Sequence, residues 1–385
     1  MRGLLLIPGP TPLHPRVRQA LGGDAIAHTS AEFREAFLEL LDMTKRLFLS
    51  SKGRPVVFSG SGTVGLEALV TSLLRPGDEV LSLEAGYFGK RFTLLARLHG
   101  ARVTAVEARG GRGFSAEELR ELLARQRYRA VLMTHVETSR GVESPLPELV
   151  KACKEHGVLA LVDGVCSVGA CEFRFDDWGV DAAVTASQKG LAGPPGATLL
   201  MLSEEAAAYI EGRRDIPSYY LDLARWLKVM EDPRIYLSTP TTHVLLAVNV
   251  ALKVALGEGL ETRWRRHEMQ ARALQRALER MGLALVAEPG FRAHTVTAFY
   301  APGGSAGELQ GFLYERMGLY LAQGMGEEKE KLLRIGHFGN IGRREIYQAV
   351  SLLGQALRAK GHGVALEEAL GGLLEELAAV PEPPA

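Results

Sequence analysis

Three short segments of the sequence carry residues that could do chemistry together. Lys189 lies in SQKGLAGPPG, between an apolar run and a Gly-Pro-rich turn, and Asp163 ends the strongly apolar run LALVD. The segment SGSGTVGLEA places Ser61, Gly62 and Thr63 in a glycine-rich turn that leads into a helical pattern. Such a turn can direct backbone amides and hydroxyl groups at a phosphate. The three segments therefore offer an amine, a carboxylate and an anion-binding turn.

Each of these features has a simpler interpretation when it is taken alone. A lysine is usually a solvated surface charge, Asp163 could cap the turn that follows it, and the glycine-rich segment could be a tight turn capped by a hydroxyl side chain. That turn is neither a Walker loop nor a G-x-G-x-x-G fingerprint. Together, however, the features match pyridoxal phosphate, which needs an amine for a Schiff base, an anion for its ring nitrogen and amides for its phosphate.

Several other side chains lie near predicted strand ends. Phe88, in SLEAGYFGKRF, could stack on a planar cofactor ring or cover the core. We expect His135 and His337 to make structural hydrogen bonds, and Cys166 to be a small buried filler. No His or Cys spacing indicates a metal site.

The elements that must position these residues follow from hydrophobic periodicity. Helical patterns alternate with seven short apolar or β-branched runs: RPVVFSG, DEVLSLEA, ARVTAVEA, RAVLMTHV, GVLALVDG, DAAVTAS and ATLLML. This alternation predicts a mostly parallel sheet flanked by helices, in which ligands collect at the carboxyl ends of the strands. If the strand ending at Asp163 and the strand before Lys189 are near neighbours, both side chains project into one crevice.

The pattern changes beyond about residue 242, where long helices are followed by short strands in ALVAEP and HTVTAFY and by a last helix. We therefore expect a second, smaller α+β domain. The predicted division is an N-terminal arm that contributes to the small domain and active site (1–20), a large cofactor-binding domain (21–250), a small C-terminal domain (251–360), and a C-terminal helix with a frayed tail (361–385).

Composition restricts the class of partner. The chain has 45 Lys plus Arg and 45 Asp plus Glu, so no net field favours nucleic acid or an acidic membrane surface. The start MRGLLLIPGP has too short an apolar stretch for a signal peptide, and no run of about 18 apolar residues predicts a membrane span. Three cysteines without a C-x-x-C pair argue against a disulfide framework. We expect a cytoplasmic protein that acts on small molecules.

The chain resembles class V aminotransferases of the alanine/serine–glyoxylate (serine–pyruvate) branch, from about residue 4 to about residue 360. Eight segments carry the resemblance in the family's order: LLLIPGPTPLHPRV, SGSGTVGLEA, GYFGKR, THVETSRG, LALVDGVCSVG, SQKGLAGPPG, YLSTPTTH and LLRIGHFG. The resemblance implies the type I fold of pyridoxal-phosphate-dependent transferases, with a large domain around a mostly parallel seven-stranded sheet. It also implies a homodimer with shared active sites.

The resemblance assigns roles around the cofactor ring. Lys189 would be the Schiff-base lysine, Asp163 the partner of the ring nitrogen, and Thr138 a neighbour of the ring hydroxyl. Phe88 occupies the place of an aromatic residue that is often Trp and stacks on the ring. The implied phosphate ligands are Ser61, Gly62, Thr63 and Gln188.

Two further roles follow from the resemblance. Tyr236 and Thr239 would reach the phosphate from the neighbouring subunit. Arg334 would hold the substrate α-carboxylate, a task that suits the bidentate guanidinium group, although an arginine at a strand end could also lie in a surface ion pair.

The implied reaction is ping-pong transamination, in which the amine of Lys189 moves the α-proton and alanine or serine donates to glyoxylate or pyruvate. Two alternatives stay open at this stage. The same fold could act on aspartate, phosphoserine or an aminophosphonate, or it could be a non-catalytic accessory subunit. A nicotinamide-dependent dehydrogenase is disfavoured, since the chain lacks the dinucleotide fingerprint.

Overall fold

The computed structural model describes residues 3–384 and has a seven-stranded sheet at its centre. From one edge to the other the strands are Arg54–Ser59, Ala197–Leu202, Ala182–Ala186, Leu159–Asp163, Ala130–Thr134, Glu79–Glu84 and Arg102–Glu107. Within this sheet, Ala197–Leu202 runs antiparallel to both of its neighbours, and all other pairs are parallel. The seven runs predicted as strands contain these seven strands, so the mostly parallel sheet is confirmed.

Burial explains why these runs are apolar throughout. Every residue of Ala130–Thr134, Ala182–Ala186 and Ala197–Leu202 is buried, as expected of strands that are covered on both faces. The edge strand Arg102–Glu107 has no fully buried residue. The helices of this part of the chain are Ala31–Leu47, Gly62–Leu73, Tyr87–Leu98, Ala116–Leu123, Leu146–Glu155, Phe175–Trp178, Glu204–Gly212 and Leu223–Glu231.

Two long helices, Thr242–Glu258 and Leu260–Arg280, follow the sheet and meet at 82°. Across residues 3–384, no single helix has both the length and the apolar composition to cross a membrane, and this bent pair satisfies the test only when its two helices are joined.

The C-terminal part contains a three-stranded antiparallel sheet and three helices. The strands lie in the order Val296–Tyr300, Leu332–Gly336 and Ala322–Gln323, and the helices are Ala306–Met317, Arg343–Ala359 and Leu366–Leu377. The predicted strand in ALVAEP is reduced to a single bridge between Leu285 and Phe299. The pairing stops there because the chain turns to another partner: the amide of Val286 still donates to the carbonyl of Ala298, but the amide of Glu288 donates to the carbonyl of Gly111.

The N-terminal segment joins the two parts of the molecule. Its short strand Leu4–Leu5 pairs in parallel with Leu319–Tyr320, and Leu6 is buried in the C-terminal core. The helix Pro15–Leu21 then packs against Thr242–Glu258, where Val17 is buried. The arm that contributes to the small domain and active site, and the division at residues 20, 250 and 360, stay predictions.

The predicted C-terminal helix is Leu366–Leu377, which buries Leu366, Ala369, Leu373 and Leu377 against the C-terminal core. Beyond it, Glu382 contacts the guanidinium group of Arg343. The last residue of the PEPPA tail, at position 385, lies outside the described residues.

Candidate active site

Sheet topology brings Asp163 and Lys189 to the same place. Leu159–Asp163 and Ala182–Ala186 are hydrogen-bonded neighbours, with Asp163 in register with Val184. Lys189 lies in the turn that immediately follows the second of these strands. The strand that ends at Asp163 and the strand before Lys189 are therefore neighbours, which is the condition for both side chains to project into one crevice.

A cavity of about 180 Å³ lies at these strand ends. Eight of its lining residues are among those predicted as site residues: Ser61, Gly62, Thr63, Phe88, Thr138, Asp163, Gln188 and Lys189. Four more lining residues are Arg91, Val136, Val165 and Cys166, of which sequence reasoning had noted only Cys166, as a filler.

The glycine-rich turn forms one wall of this cavity. Helix Gly62–Leu73 begins there, and its N-cap residue Ser61 makes no side-chain capping hydrogen bond. The amides of the first turn therefore keep their capacity to bind an anion. A Cβ atom at Gly62 would lie 2.7 Å from Cγ2 of Val165, so the close approach of these two walls requires glycine.

The N-terminal arm covers Lys189. Lys189 Nζ donates a hydrogen bond to the carbonyl oxygen of Pro8, and a Cβ atom at Gly9 would lie 2.7 Å from the same nitrogen. Thr11 fixes the turn itself, because its amide donates to the carbonyl of Gln188 at 3.1 Å and its hydroxyl donates to the carbonyl of Lys189 at 3.2 Å. The arm therefore both shields the amine and holds its backbone.

Asp163 is a buried carboxylate, 4% exposed. Burial raises the pKa of Asp163 to about 6, against the opposing effects of the Val165 amide and the Arg91 guanidinium. The amide of Val165 donates to Oδ1 at 3.0 Å, and no salt bridge involves Asp163 in the described residues. A bound cation would therefore stabilise the ionised carboxylate strongly.

Phe88 is held in place by Glu137, a residue that sequence reasoning missed. Helix Tyr87–Leu98 begins beside Glu137, whose Oε2 accepts hydrogen bonds from the amides of Phe88 and Gly89, each at 3.0 Å. Its Oε1 accepts from the amide of Ser139 at 3.0 Å and from the hydroxyl at 2.6 Å. Although burial raises the pKa of Glu137, these four donors satisfy both of its oxygens. An acidic residue in the otherwise buried strand Val136–Glu137 was the available signal.

Arg91 is the other charged residue that sequence reasoning missed. It lines the cavity, and its guanidinium carbon lies 4.5 Å from the ring centroid of Phe88. Its Nε is buried without a hydrogen-bond partner among residues 3–384. The signal was the spacing of three from Phe88, which places both side chains on one face of a helix.

Arg334 lies in strand Leu332–Gly336 and is 8% exposed. Nε donates to the carbonyl of Gln323 at 2.7 Å, and Nη1 donates to the carbonyl of Thr138 at 3.1 Å. It forms no salt bridge in the described part of the chain, and burial lowers the pKa of its guanidinium. The surface ion pair left open by the sequence is therefore absent from this part of the structure. Arg334 is not among the residues that line the cavity.

The structure does not bring Tyr236 and Thr239 to the cavity of their own chain. Tyr236 is 48% exposed and its ring contacts that of His28 edge-on, with the centroids 4.4 Å apart. Thr239 is also exposed. Contact of Tyr236 or Thr239 with a phosphate in such a cavity would therefore require a second copy of the chain.

The donor set of the cavity fits pyridoxal phosphate. A primary amine, a buried carboxylate with a raised pKa and an uncapped helix N-terminus face one small space. Gln188 Oε1 is buried and has no hydrogen-bond partner among the described residues. A bound group with a phosphate, a protonated ring nitrogen and an aldehyde would match the helix N-terminus, the carboxylate and the amine.

Comparison with known proteins agrees with this fit. Residues 18–329 match the family model described as aminotransferase class-V. The L-aspartate–glyoxylate aminotransferase of Paracoccus denitrificans is 33% identical, over 88% of this chain and 86% of that protein. The alanine–glyoxylate aminotransferase of Oryctolagus cuniculus is 32% identical, over 92% of each. The crystal structure of ureidoglycine–glyoxylate aminotransferase from Bacillus subtilis superposes with a TM-score of 0.93 at 30% identity, and covers 97% of each chain.

The family match covers far more than half of the chain, and each of these relatives is similar over most of its own length. The TM-score of 0.93 over 97% of each chain shows that the overall fold is shared with the solved relative. The chain belongs to the class V aminotransferases and is a pyridoxal-phosphate-dependent transaminase.

Proposed function

We propose that this chain transfers the amino group of a small L-amino acid, alanine or serine, to glyoxylate or pyruvate by a ping-pong mechanism. The observation that carries the proposal is the cavity in which Lys189, Asp163 and the glycine-rich turn meet. The acceptor is supported by the names of the relatives from Paracoccus, Oryctolagus and Bacillus, which share glyoxylate and differ in their donors.

The cavity residues divide the task of holding the cofactor. Its phosphate would lie against the first turn of helix Gly62–Leu73, and Thr138 would lie near the ring hydroxyl. Phe88 would stack on the ring, as a smaller platform than Trp. The phosphate ligands of this chain would be Ser61, Gly62, Thr63 and Gln188.

When bound, pyridoxal phosphate would supply an electron-accepting ring that stabilises the charge left on a substrate after its α-proton is removed. Lys189 Nζ would hold the cofactor through its aldehyde, and the same amine, when free, would take the α-proton of the substrate. Asp163 would hold a proton on the ring nitrogen. The arm residues Pro8 and Gly9 lie against Lys189 and would help to exclude water from that proton.

Arg334 would bind the substrate α-carboxylate. The carbonyls of Gln323 and Thr138 occupy Nε and Nη1 and orient the guanidinium plane, while the remaining N–H groups keep donors for a carboxylate. Because Arg334 forms no salt bridge within residues 3–384, its charge is available for a ligand.

Replacing Arg334 with alanine should lower kcat/KM for amino acids. The expected loss of transition-state binding energy is about 1.5–3 kcal/mol, the range for hydrogen bonds to charged groups. The matched test compares alanine with ethylamine, which lacks the carboxylate, in both enzymes. We expect the loss for alanine to be large and the loss for ethylamine to be small. Equal losses for both substrates would assign Arg334 a structural role.

The alternative donor is aspartate, which the name of the Paracoccus relative supports. The cation Arg91 lines the cavity and could attract a second carboxylate. The visible spectrum of the purified enzyme, recorded with alanine, serine, aspartate or phosphoserine added singly, tests the donor. The true donor should remove the band of the lysine-bound cofactor. Absence of any such band after added pyridoxal phosphate would overturn the proposed function.

We also propose a homodimer in which Tyr236 and Thr239 complete the phosphate site of the partner. The support is exposed apolar surface beside them, since Ile235, the residue before Tyr236, is 59% exposed. Burial of these apolar side chains against a second copy of the chain would remove their surface from water and so stabilise the dimer.

A mixed dimer should test this arrangement. A Lys189→Ala chain and a Tyr236→Phe/Thr239→Val chain should each be impaired alone. After the two are refolded together, one site of each mixed dimer contains Lys189 from one chain and Tyr236 and Thr239 from the other, so activity should reappear. Continued inactivity of a mixture that sedimentation shows to be dimeric would contradict shared sites.

A cytoplasmic location is proposed from the thiols. Cys153, Cys166 and Cys171 are all free and buried, which fits a reducing compartment. Fractionation of cells that produce the protein should recover it with cytoplasmic markers; recovery with secreted proteins would contradict this location.

A further inference from the structure

A second group of ligand atoms lies outside the cavity. Glu143, Cys171 and His294 bring a carboxylate, a thiol and an imidazole to within 4.8 Å of one another. Glu143 ends strand Val142–Glu143, Cys171 follows the loop that begins at Asp163, and His294 precedes strand Val296–Tyr300. The proposed transaminase roles use none of these three side chains.

Each of the other two side chains lies close to one oxygen of Glu143, and a different oxygen in each case; one ligand atom of each residue comes within 4.8 Å of the other two. Glu143 Oε1 lies 3.3 Å from His294 Nδ1, and Glu143 Oε2 lies 3.5 Å from Cys171 Sγ. Bonds of about 2.3 Å to sulfur and about 2.0 Å to nitrogen and oxygen at tetrahedral angles separate ligand atoms by roughly 3.3 to 3.5 Å. The amide of His294 also donates to Glu143 Oε2 at 3.0 Å, which fixes the carboxylate.

Charge and burial favour a divalent ion. A carboxylate, a thiolate and a neutral imidazole carry two negative charges, so the complex with such an ion would be neutral. Neutrality matters because Cys171 is only 2% exposed and the Glu143 side chain only 17% exposed. Calcium and magnesium prefer oxygen ligands, whereas mixed sulfur, nitrogen and oxygen ligands suit zinc.

The site also has access to solvent. Glu143 and His294 line a surface cavity of about 460 Å³, which would admit the ion and a water molecule as fourth ligand. Arginines on the cavity wall would repel a cation if they were unpaired. Each of the three is paired with a glutamate: Arg272 with Glu268, Arg276 with Glu376, and Arg292 with Glu279.

We propose that Glu143, Cys171 and His294 bind one zinc ion, with water as the fourth ligand. The ion would join the hairpin formed by strands Val136–Glu137 and Val142–Glu143, the loop that follows Asp163 and the segment that leads into strand Val296–Tyr300. Its role would be to stabilise the junction between the two parts of the chain. Sequence spacing could not indicate this site, because Glu143 and His294 are 151 residues apart.

Untagged, cofactor-loaded enzyme dialysed against zinc and then against metal-free buffer provides the test. Elemental mass spectrometry should find one zinc per chain in the wild type. Removing a residue that only hydrogen-bonds to a metal ligand costs about 10- to 100-fold in metal affinity. Because Cys171 is a proposed ligand itself, Cys171→Ser should lower the affinity for zinc at least that much. Cys153→Ser is the matched control, since this buried cysteine belongs to the core around the large sheet and should leave zinc binding unchanged.

Cobalt gives a second readout that does not depend on a variant that folds. Cobalt added to the wild-type enzyme should produce a thiolate-to-metal charge-transfer band, and zinc should displace it. Absence of this band, absence of retained zinc, or equal zinc affinity in the Cys171→Ser and Cys153→Ser enzymes would each overturn the proposal. These measurements are independent of turnover, so failure of the proposed substrate assignment would leave the metal assignment untouched.

Discussion

Replacing Lys189 with alanine should abolish both the visible band of the bound cofactor and transamination. Among residues 3–384, Lys189 Nζ is the only amine in the cavity lining, so no other lining residue of that range can bond to the cofactor aldehyde in its place. Loss of a general base alone costs up to about 10⁴-fold, and loss of the covalent bond adds to it. We therefore expect kcat to fall by at least about 10⁴-fold in a steady-state assay.

The matched control for this prediction is Lys253→Ala, which removes an exposed lysine that pairs with Glu39 on the surface. Its spectrum and turnover should equal those of the wild type. Added methylamine should partly restore turnover to the Lys189→Ala enzyme, because a small amine can enter the space that the side chain leaves. A Lys189→Ala enzyme with wild-type turnover would show that the reactive amine is another lysine.

Much of the fold could be predicted because its signal is local. The seven strands are continuous apolar runs bounded by turn residues, and full burial on both faces requires that pattern. The order of strands in the sheet was not available from periodicity, so the adjacency of Leu159–Asp163 and Ala182–Ala186 was only a condition. The ALVAEP segment was predicted wrongly as a strand, because an apolar run does not show how many of its residues pair with a neighbouring strand.

The site was predictable where a residue type carries its own chemistry. Asp163 is costly at a buried strand end unless it has a function, Lys189 lies in the turn after the neighbouring strand, and both line the cavity. Glu137 escaped notice because its role is to hold a neighbouring backbone, a contact that depends on how Val136–Glu137 meets helix Tyr87–Leu98. The cover that Pro8 gives to Lys189 spans 181 residues and leaves no mark in local sequence.

Replacing Asp163 with asparagine should slow turnover strongly while leaving the fold intact. Asparagine can still accept the amide of Val165, which lies 3.0 Å from Oδ1, so the local turn should survive. It cannot hold a proton on a ring nitrogen by charge, so the ring would accept electrons less well. We expect a large fall in kcat with the cofactor still bound. Unchanged turnover would mean that Asp163 only caps the turn.

The same substitution should stabilise the cofactor-free protein, because burial raises the pKa of Asp163 from 3.8 to about 6. The folded state holds this proton more tightly than the unfolded state, so the stabilising contribution is complete below pH 3.8 and is lost as the pH rises through about 6. This difference amounts to at most about 3 kcal/mol at neutral pH, and neutral asparagine avoids it. Urea unfolding at about pH 8 should therefore show a higher free energy of unfolding for Asp163→Asn than for the wild type.

The matched control is Asp181→Asn, in the same sheet region. Asp181 is also buried, but it accepts a hydrogen bond from the amide of Ala160 at 2.7 Å and pairs with Lys154 at 2.6 Å. Its loss should therefore destabilise the protein and leave turnover per folded molecule unchanged. Opposite signs for the two substitutions would identify Asp163 as a carboxylate kept for the cofactor at the expense of stability. Destabilisation of the cofactor-free protein by both would contradict that interpretation.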